Sequence, residues 1–103
     1  FLRELIVLFL ECLPEMLQEI EDAAAVGDFS RIMRSAHKLK GSISPFYASR
    51  LHDLALKVEN KGRACESSGL SDDLFNLRKE AERLRRAMET YVHSGSSLVS
   101  GST

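Results

Sequence analysis

Tryptophan is absent, and the rings present are five Phe and two Tyr, so any core must be mostly aliphatic. The cysteines, Cys12 and Cys65, stand far apart and outside any C-x-x-C spacing. That excludes a disulfide framework and points to a reducing compartment; both are expected as small helix residues. No apolar run is long enough to span a bilayer. The apolar start FLRELIVLFLECL is broken by Arg3, Glu4 and Glu11 and lacks the layout of a signal peptide. Neither sign of charge dominates: the net charge is −1, against the clear excess of positive charge usual in a dedicated nucleic-acid-binding domain. No segment alternates with period two, so strands are not expected. There is no internal repeat.

What is present is ordinary for a globular protein: 103 residues, 44% hydrophobic and 28% charged. This length predicts one domain. The chain opens on Phe1 rather than Met, which suggests a domain cut from a longer protein.

Four amphipathic segments account for most of it. In the first, over 2–25, Leu2, Leu5, Ile6, Phe9, Leu13, Met16, Leu17 and Ile20 keep a helical period. Pro14 lies inside and cannot donate its backbone hydrogen bond, so a kink or a split is expected there. Gly27 can take the left-handed conformation that ends a helix, and Asp28 can cap the next. The second segment, 29–42, has Phe29, Ile32, Met33, Ala36 and Leu39 as its stripe. It breaks at SISP, where Pro45 suits the first position of a third helix capped by Ser44. That helix, 45–65, gathers Tyr47, Leu51, Leu54, Ala55, Val58 and Gly62 on one face. After the loop ESSGLS, with Ser71 as the cap, a fourth helix over 72–93 carries Leu74, Leu77, Ala81, Leu84, Met88 and Tyr91. The charges between these read as a solvated face. The small, polar end at 94–103 is expected to be a disordered tail. Long helices joined by short loops predict an all-α fold, an antiparallel up-down four-helix bundle with a kinked or split N-terminal helix.

Within the second segment, SAHKLKGS at 35–42 sets a histidine among basic residues. At about 100° per residue, His37 falls about 100° from the centre of the apolar stripe. It therefore sits on the flank, its backbone supported and its ring accessible. Arg34, Lys38 and Gly41 project to the same or a more exposed side, and Lys40 follows three residues on. Glycine in a helix costs roughly 1 kcal/mol relative to Ala. At Gly41 it either helps end the helix or leaves clearance for another molecule near the imidazole.

An accessible neutral imidazole is a nucleophile near pH 7, and lysines beside it suit an anionic phosphoryl cargo. The reacting nitrogen is well aimed only if the other ring nitrogen has a partner. Glu59, at the edge of the third segment's apolar face, can meet His37 if the hairpin between the two helices turns near 43–48.

The run AHKLKGSISPFYASRLHDLALKVE resembles the histidine-containing phosphotransfer (HPt) domain family. The matching positions are His37, Leu39, Lys40, Gly41, Ser42, Phe46, Ala48, Leu51, Leu54 and Glu59, and the upstream run through Pro14 to His37 is also similar. The resemblance covers about residues 1–92. It implies a phosphoacceptor at His37 through Nε2, phosphoryl charge neutralisation by Lys40, room for a partner at Gly41, and a hold on Nδ1 by Glu59. The partners implied are response-regulator receiver domains, which meet the apolar residues near His37 together with Arg34, Lys38, Gly41, Ser42 and Tyr47. The receiver brings Mg²⁺, so no cofactor or metal of this domain's own is implied. The setting implied is a cytoplasmic His–Asp phosphorelay, with the domain part of a hybrid sensor histidine kinase or equally a free-standing carrier or a chemotaxis-type kinase fragment, and monomeric in isolation. With no nucleotide-binding loop, the domain is expected to carry phosphate rather than to act as an enzyme. The family usually has glycine where Tyr47 stands, so Tyr47 is expected to shift the turn or to cover part of the surface near His37. The alternative is an inactive bundle of the same ancestry that only docks partners. Nucleic-acid binding through Arg31, Arg34, Lys38 and Lys40 is opposed by the charge balance, and His37, His52 and His93 lack a metal-ligand spacing.

Overall fold

The computed structural model describes the backbone of residues 1–101 and the side chains of residues 1–93. The tail expected at 94–103 lies outside the fully described residues. Four helices follow in order: α1 (Leu2–Ala25), α2 (Phe29–Ile43), α3 (Ser49–Arg63) and α4 (Leu70–Gly101), with a 3₁₀ turn at Ser44–Phe46. Each helix packs on its neighbour in the chain, and α1 also packs on α4, which closes a four-helix bundle. Among the described residues there is no strand, and no helix is long and apolar enough to cross a membrane.

The apolar stripes meet in one core. Ile20, Ile32, Leu39, Ile43, Leu51, Val58 and Leu77 are the largest fully buried side chains. Burial of each such side chain stabilises the fold by roughly 1.5–3 kcal/mol. Arg78 on α4 adds a two-pronged contact to Glu21 on α1, at 2.6 and 2.8 Å. Pro14 sits inside α1, which runs as one helix, so of the two outcomes expected at this proline the chain does not split. Its neighbours Leu13, Met16 and Leu17 are buried, and this packing holds the helix together across the missing backbone donor.

The first turn is built as expected. Gly27 has φ 70°, and Asp28 Oδ1 accepts from the backbone N–H of Arg31 at 3.1 Å. The second differs. The third helix does not begin at Pro45 under a Ser44 cap: residues 44–46 form a separate 3₁₀ turn, and α3 begins at Ser49 with Ala48 as its cap residue. The Ser44 hydroxyl instead donates back to the carbonyl of Lys40 at 3.2 Å. Tyr47, expected on the apolar face of the third helix, lies before that helix and is 92% exposed. Its φ of 54° and ψ of 30° are left-handed, the conformation glycine adopts most easily. Tyr47 thus takes up the strained turn geometry itself. Phe46 turns inward beside it and packs on Phe9, ring centroids 5.0 Å apart.

Two further corrections fall at the last turn. Ser71 is not the cap of α4 but lies inside it; the helix starts at Leu70, and Gly69 with φ 71° precedes it. Cys65 is not a helix residue: it follows α3 with φ 53° and, like Cys12, is exposed. The turn is pinned by Lys61, whose ammonium donates to the carbonyl of Ser68 at 2.5 Å and lies 2.8 Å from the buried carboxylate of Asp73.

Helices α2 and α3 approach closely at Gly62. A Cβ there would come 2.7 Å from the backbone N of Met33 and 2.9 Å from the carbonyl O of Phe29. Both obstacles are backbone, so α2 and α3 would have to separate. Gly62→Ala is therefore expected to destabilise the domain by about 1–3 kcal/mol, seen as a lower midpoint of thermal unfolding.

Candidate functional site

The α2–α3 hairpin sets the site. Because α2 and α3 touch at Gly62, the preceding turn of α3 brings Glu59 level with His37 and Lys40. The Glu59 carboxylate is 3% exposed, which for a charge is costly unless it is partnered. Three side chains converge on it. His37 Nδ1 lies 3.1 Å from Oε2, Arg63 Nη2 donates to the same Oε2 at 2.8 Å, and Lys40 Nζ lies 2.8 Å from Oε1. The Lys40 contact is a close ion pair without hydrogen-bond alignment, since Oε1 has no aligned donor. Burial alone pushes the Glu59 carboxyl up; Lys40, His37 and Arg63 together outweigh it and hold the group at about 2. It is ionised throughout the physiological range.

An ionised carboxylate only accepts hydrogen bonds, so Nδ1 of His37 must carry the proton it shares with Oε2. In the neutral ring the lone pair then resides on Nε2. The His37 side chain is 68% exposed, so this nitrogen is open to an incoming group. The hydrogen bond fixes the tautomer, and the buried carboxylate fixes the plane of the ring.

Of the remaining residues singled out in the sequence, Arg34, Lys38 and Gly41 are exposed on α2. Where a Cβ of Gly41 would stand there is no atom within 4 Å apart from the neighbouring residues and backbone of its own helix. Ser42 is half-buried and its hydroxyl donates to the carbonyl of Lys38 at 3.0 Å, so it is engaged within its own helix. Lys40, expected as the partner of a phosphoryl group, has its ammonium on Glu59. Tyr47 stands in the turn beyond α2. The exposed large apolar side chains of α1 include Leu2, Val7 and Leu8, in its first turns. His52 is half-buried and His93 exposed. Among the described residues, no three His, Cys, Asp or Glu side chains stand where they could share a metal ion.

The sequence reading missed Arg63. Its signal was there: Arg63 follows Glu59 by four residues, the helical spacing at which an acid and a base meet.

The Hpt domain family model matches residues 4–87. The chain belongs to the Hpt domain family, whose members are phosphocarrier modules that interact with receiver domains in phosphorelays. No curated protein and no solved structure matches the chain.

Proposed function

We propose that His37 is the phosphoacceptor of a His–Asp relay, taking a phosphoryl group from the aspartate of one receiver domain and passing it to another. The observation that carries this reading is the Nδ1 to Glu59 hydrogen bond, which leaves the Nε2 lone pair facing solvent. Nε2 attacks the phosphorus of the aspartyl phosphate. The N–P bond forms as the P–O bond to the aspartate breaks, and the aspartate leaves as a carboxylate. The ring keeps its Nδ1 proton, and Glu59 offsets the positive charge the imidazole gains. The receiver supplies the aspartate and its Mg²⁺. Lys40, on a flexible stem, swings from Glu59 toward the phosphoryl oxygens. Lys40 follows His37 by three residues on α2, so its ammonium is within reach of a group on the ring. We infer that the setting is the cytoplasmic part of a hybrid sensor histidine kinase and that the isolated domain is a monomer.

Gly41 gives a test that separates docking from folding. Open space surrounds it, so Gly41→Ala is expected to raise stability by up to about 1 kcal/mol through better helix propensity. The same methyl group stands one turn from His37, where the receiver's backbone approaches. Transfer from a phosphorylated receiver is therefore expected to slow while the unfolding midpoint rises. Unchanged transfer would place the receiver elsewhere. Receiver binding without phosphohistidine would replace the proposal with a docking-only role.

A further inference from the structure

Arg63 is the one member of the cluster without a part in the chemistry above. It competes for the same carboxylate oxygen that holds the ring: Nη2 of Arg63 and Nδ1 of His37 both lie on Oε2 of Glu59, at 2.8 and 3.1 Å. Its anchor is double, because Nη1 also donates to the side-chain oxygen of Asn60 at 2.6 Å. An uncompensated carboxylate at this distance from an imidazole would favour the imidazolium, which has no lone pair to attack with. Here the carboxylate faces two permanent cations, Lys40 on Oε1 and Arg63 on Oε2. With both in place Glu59 acts on the ring as an oriented hydrogen-bond acceptor whose charge is already balanced. Lys40 leaves that balance whenever it turns to a phosphoryl group. Arg63, on the far side of the carboxylate from Lys40's oxygen, stays.

We propose that Arg63 is a positioning residue, acting through Glu59 to keep the His37 ring in its neutral, Nδ1-protonated form and so ready to react at Nε2. This rests on the reading of His37 as the phosphoacceptor, but its physical content, control of the ring's protonation, can be measured without any phosphoryl transfer. Other charges in the neighbourhood have their own company. Arg34 and Lys38 of α2 line a groove opposite Glu15 and Glu19 of α1, and Asp73 of α4 is held by Lys57 and Lys61.

The experiment is an NMR titration of the His37 ring nitrogens in the wild-type domain, Arg63→Ala and Arg63→Lys. Arg63 is 57% exposed, so all three are expected to fold, which a thermal melt verifies. In Arg63→Ala the titration of His37 is expected to move to higher pH, with more imidazolium at pH 7, and Arg63→Lys is expected to return most of the way to wild type. Transfer from a phosphorylated receiver would then be slower in Arg63→Ala at pH 7 and recover as the pH is raised. Superimposed titrations, a shift to lower pH, or a lysine variant no better than alanine would overturn the proposal. If the titrations move as stated but wild-type His37 takes no phosphate, the positioning role stands and the phosphoacceptor reading fails.

Discussion

Replacing His37 by Gln is expected to reduce phosphoryl acceptance from a phosphorylated receiver to background, with the fold unchanged. The amide of Gln has no nucleophilic nitrogen, so nothing at this position can form the N–P bond. The stability cost is small because the ring is 68% exposed and Glu59 keeps Lys40 and Arg63 as partners. A change within about 0.5 kcal/mol is expected, as for surface positions generally. Radiolabel transfer and thermal unfolding, measured on the same preparation, check both halves. Acceptance at the wild-type rate would remove His37 from the chemistry.

The second large effect is at Glu59. Glu59→Ala deletes a buried carboxylate and leaves a cavity between two cations and a histidine. Lys40 and Arg63 can each reach water, being 20% and 57% exposed, so the cost lies below that of stranding a wholly buried charge. About 2–3 kcal/mol of destabilisation is expected. Loss of the ring's orientation and tautomer is expected to slow acceptance roughly 10–100-fold, by analogy with the loss of the partner that orients a metal-bound histidine. Glu59→Gln should fall between, since its amide oxygen still accepts from Nδ1. The charge has a pH signature as well. The folded value of the Glu59 carboxyl is about 2 against an ordinary 4.5, so the folded state binds this proton more weakly than the unfolded chain. Its contribution, on the order of 3 kcal/mol at most, is complete above the unfolded value and is lost as the pH falls from there toward 2. The unfolding midpoint of the wild type is therefore expected to drop more steeply than that of Glu59→Gln on acidification below about pH 5.

The helical period made the bundle legible from sequence. Ile6, Phe9, Leu13, Met16, Leu17 and Ile20 are buried along α1 as their spacing requires, and Ile32, Ala36 and Leu39 along α2. The turns were less legible. Pro45 reads equally well as the first residue of a helix or as part of a 3₁₀ turn, and the choice falls to Phe46 packing on Phe9, a contact 37 residues distant that no local pattern encodes. Ile43, the last residue of α2, is fully buried where the reading placed the break, and the turn that follows leaves Tyr47 facing out. Near the site, the facing of His37 and Glu59 could be posed from the register of one hairpin, but not which cations share the carboxylate. Lys40 appears from sequence as a charge for phosphate and in the folded domain as a partner of Glu59. Arg63 is invisible until the depth of Glu59 is known, because a surface Glu–Arg pair at this spacing is commonplace and worth little. Burial of the carboxylate gives that pair its meaning, and burial follows from the close approach at Gly62.

Phosphate carried on Nε2 of His37 leaves a spectroscopic signature of its own. The most direct measurement is phosphorus and nitrogen NMR of the wild-type domain after exposure to a phosphorylated receiver. One phosphohistidine is expected, at His37, with phosphorus coupled to Nε2 and the Nδ1 proton retained toward Glu59. Phosphate on Nδ1, on His52 or His93, or on no histidine at all would contradict it.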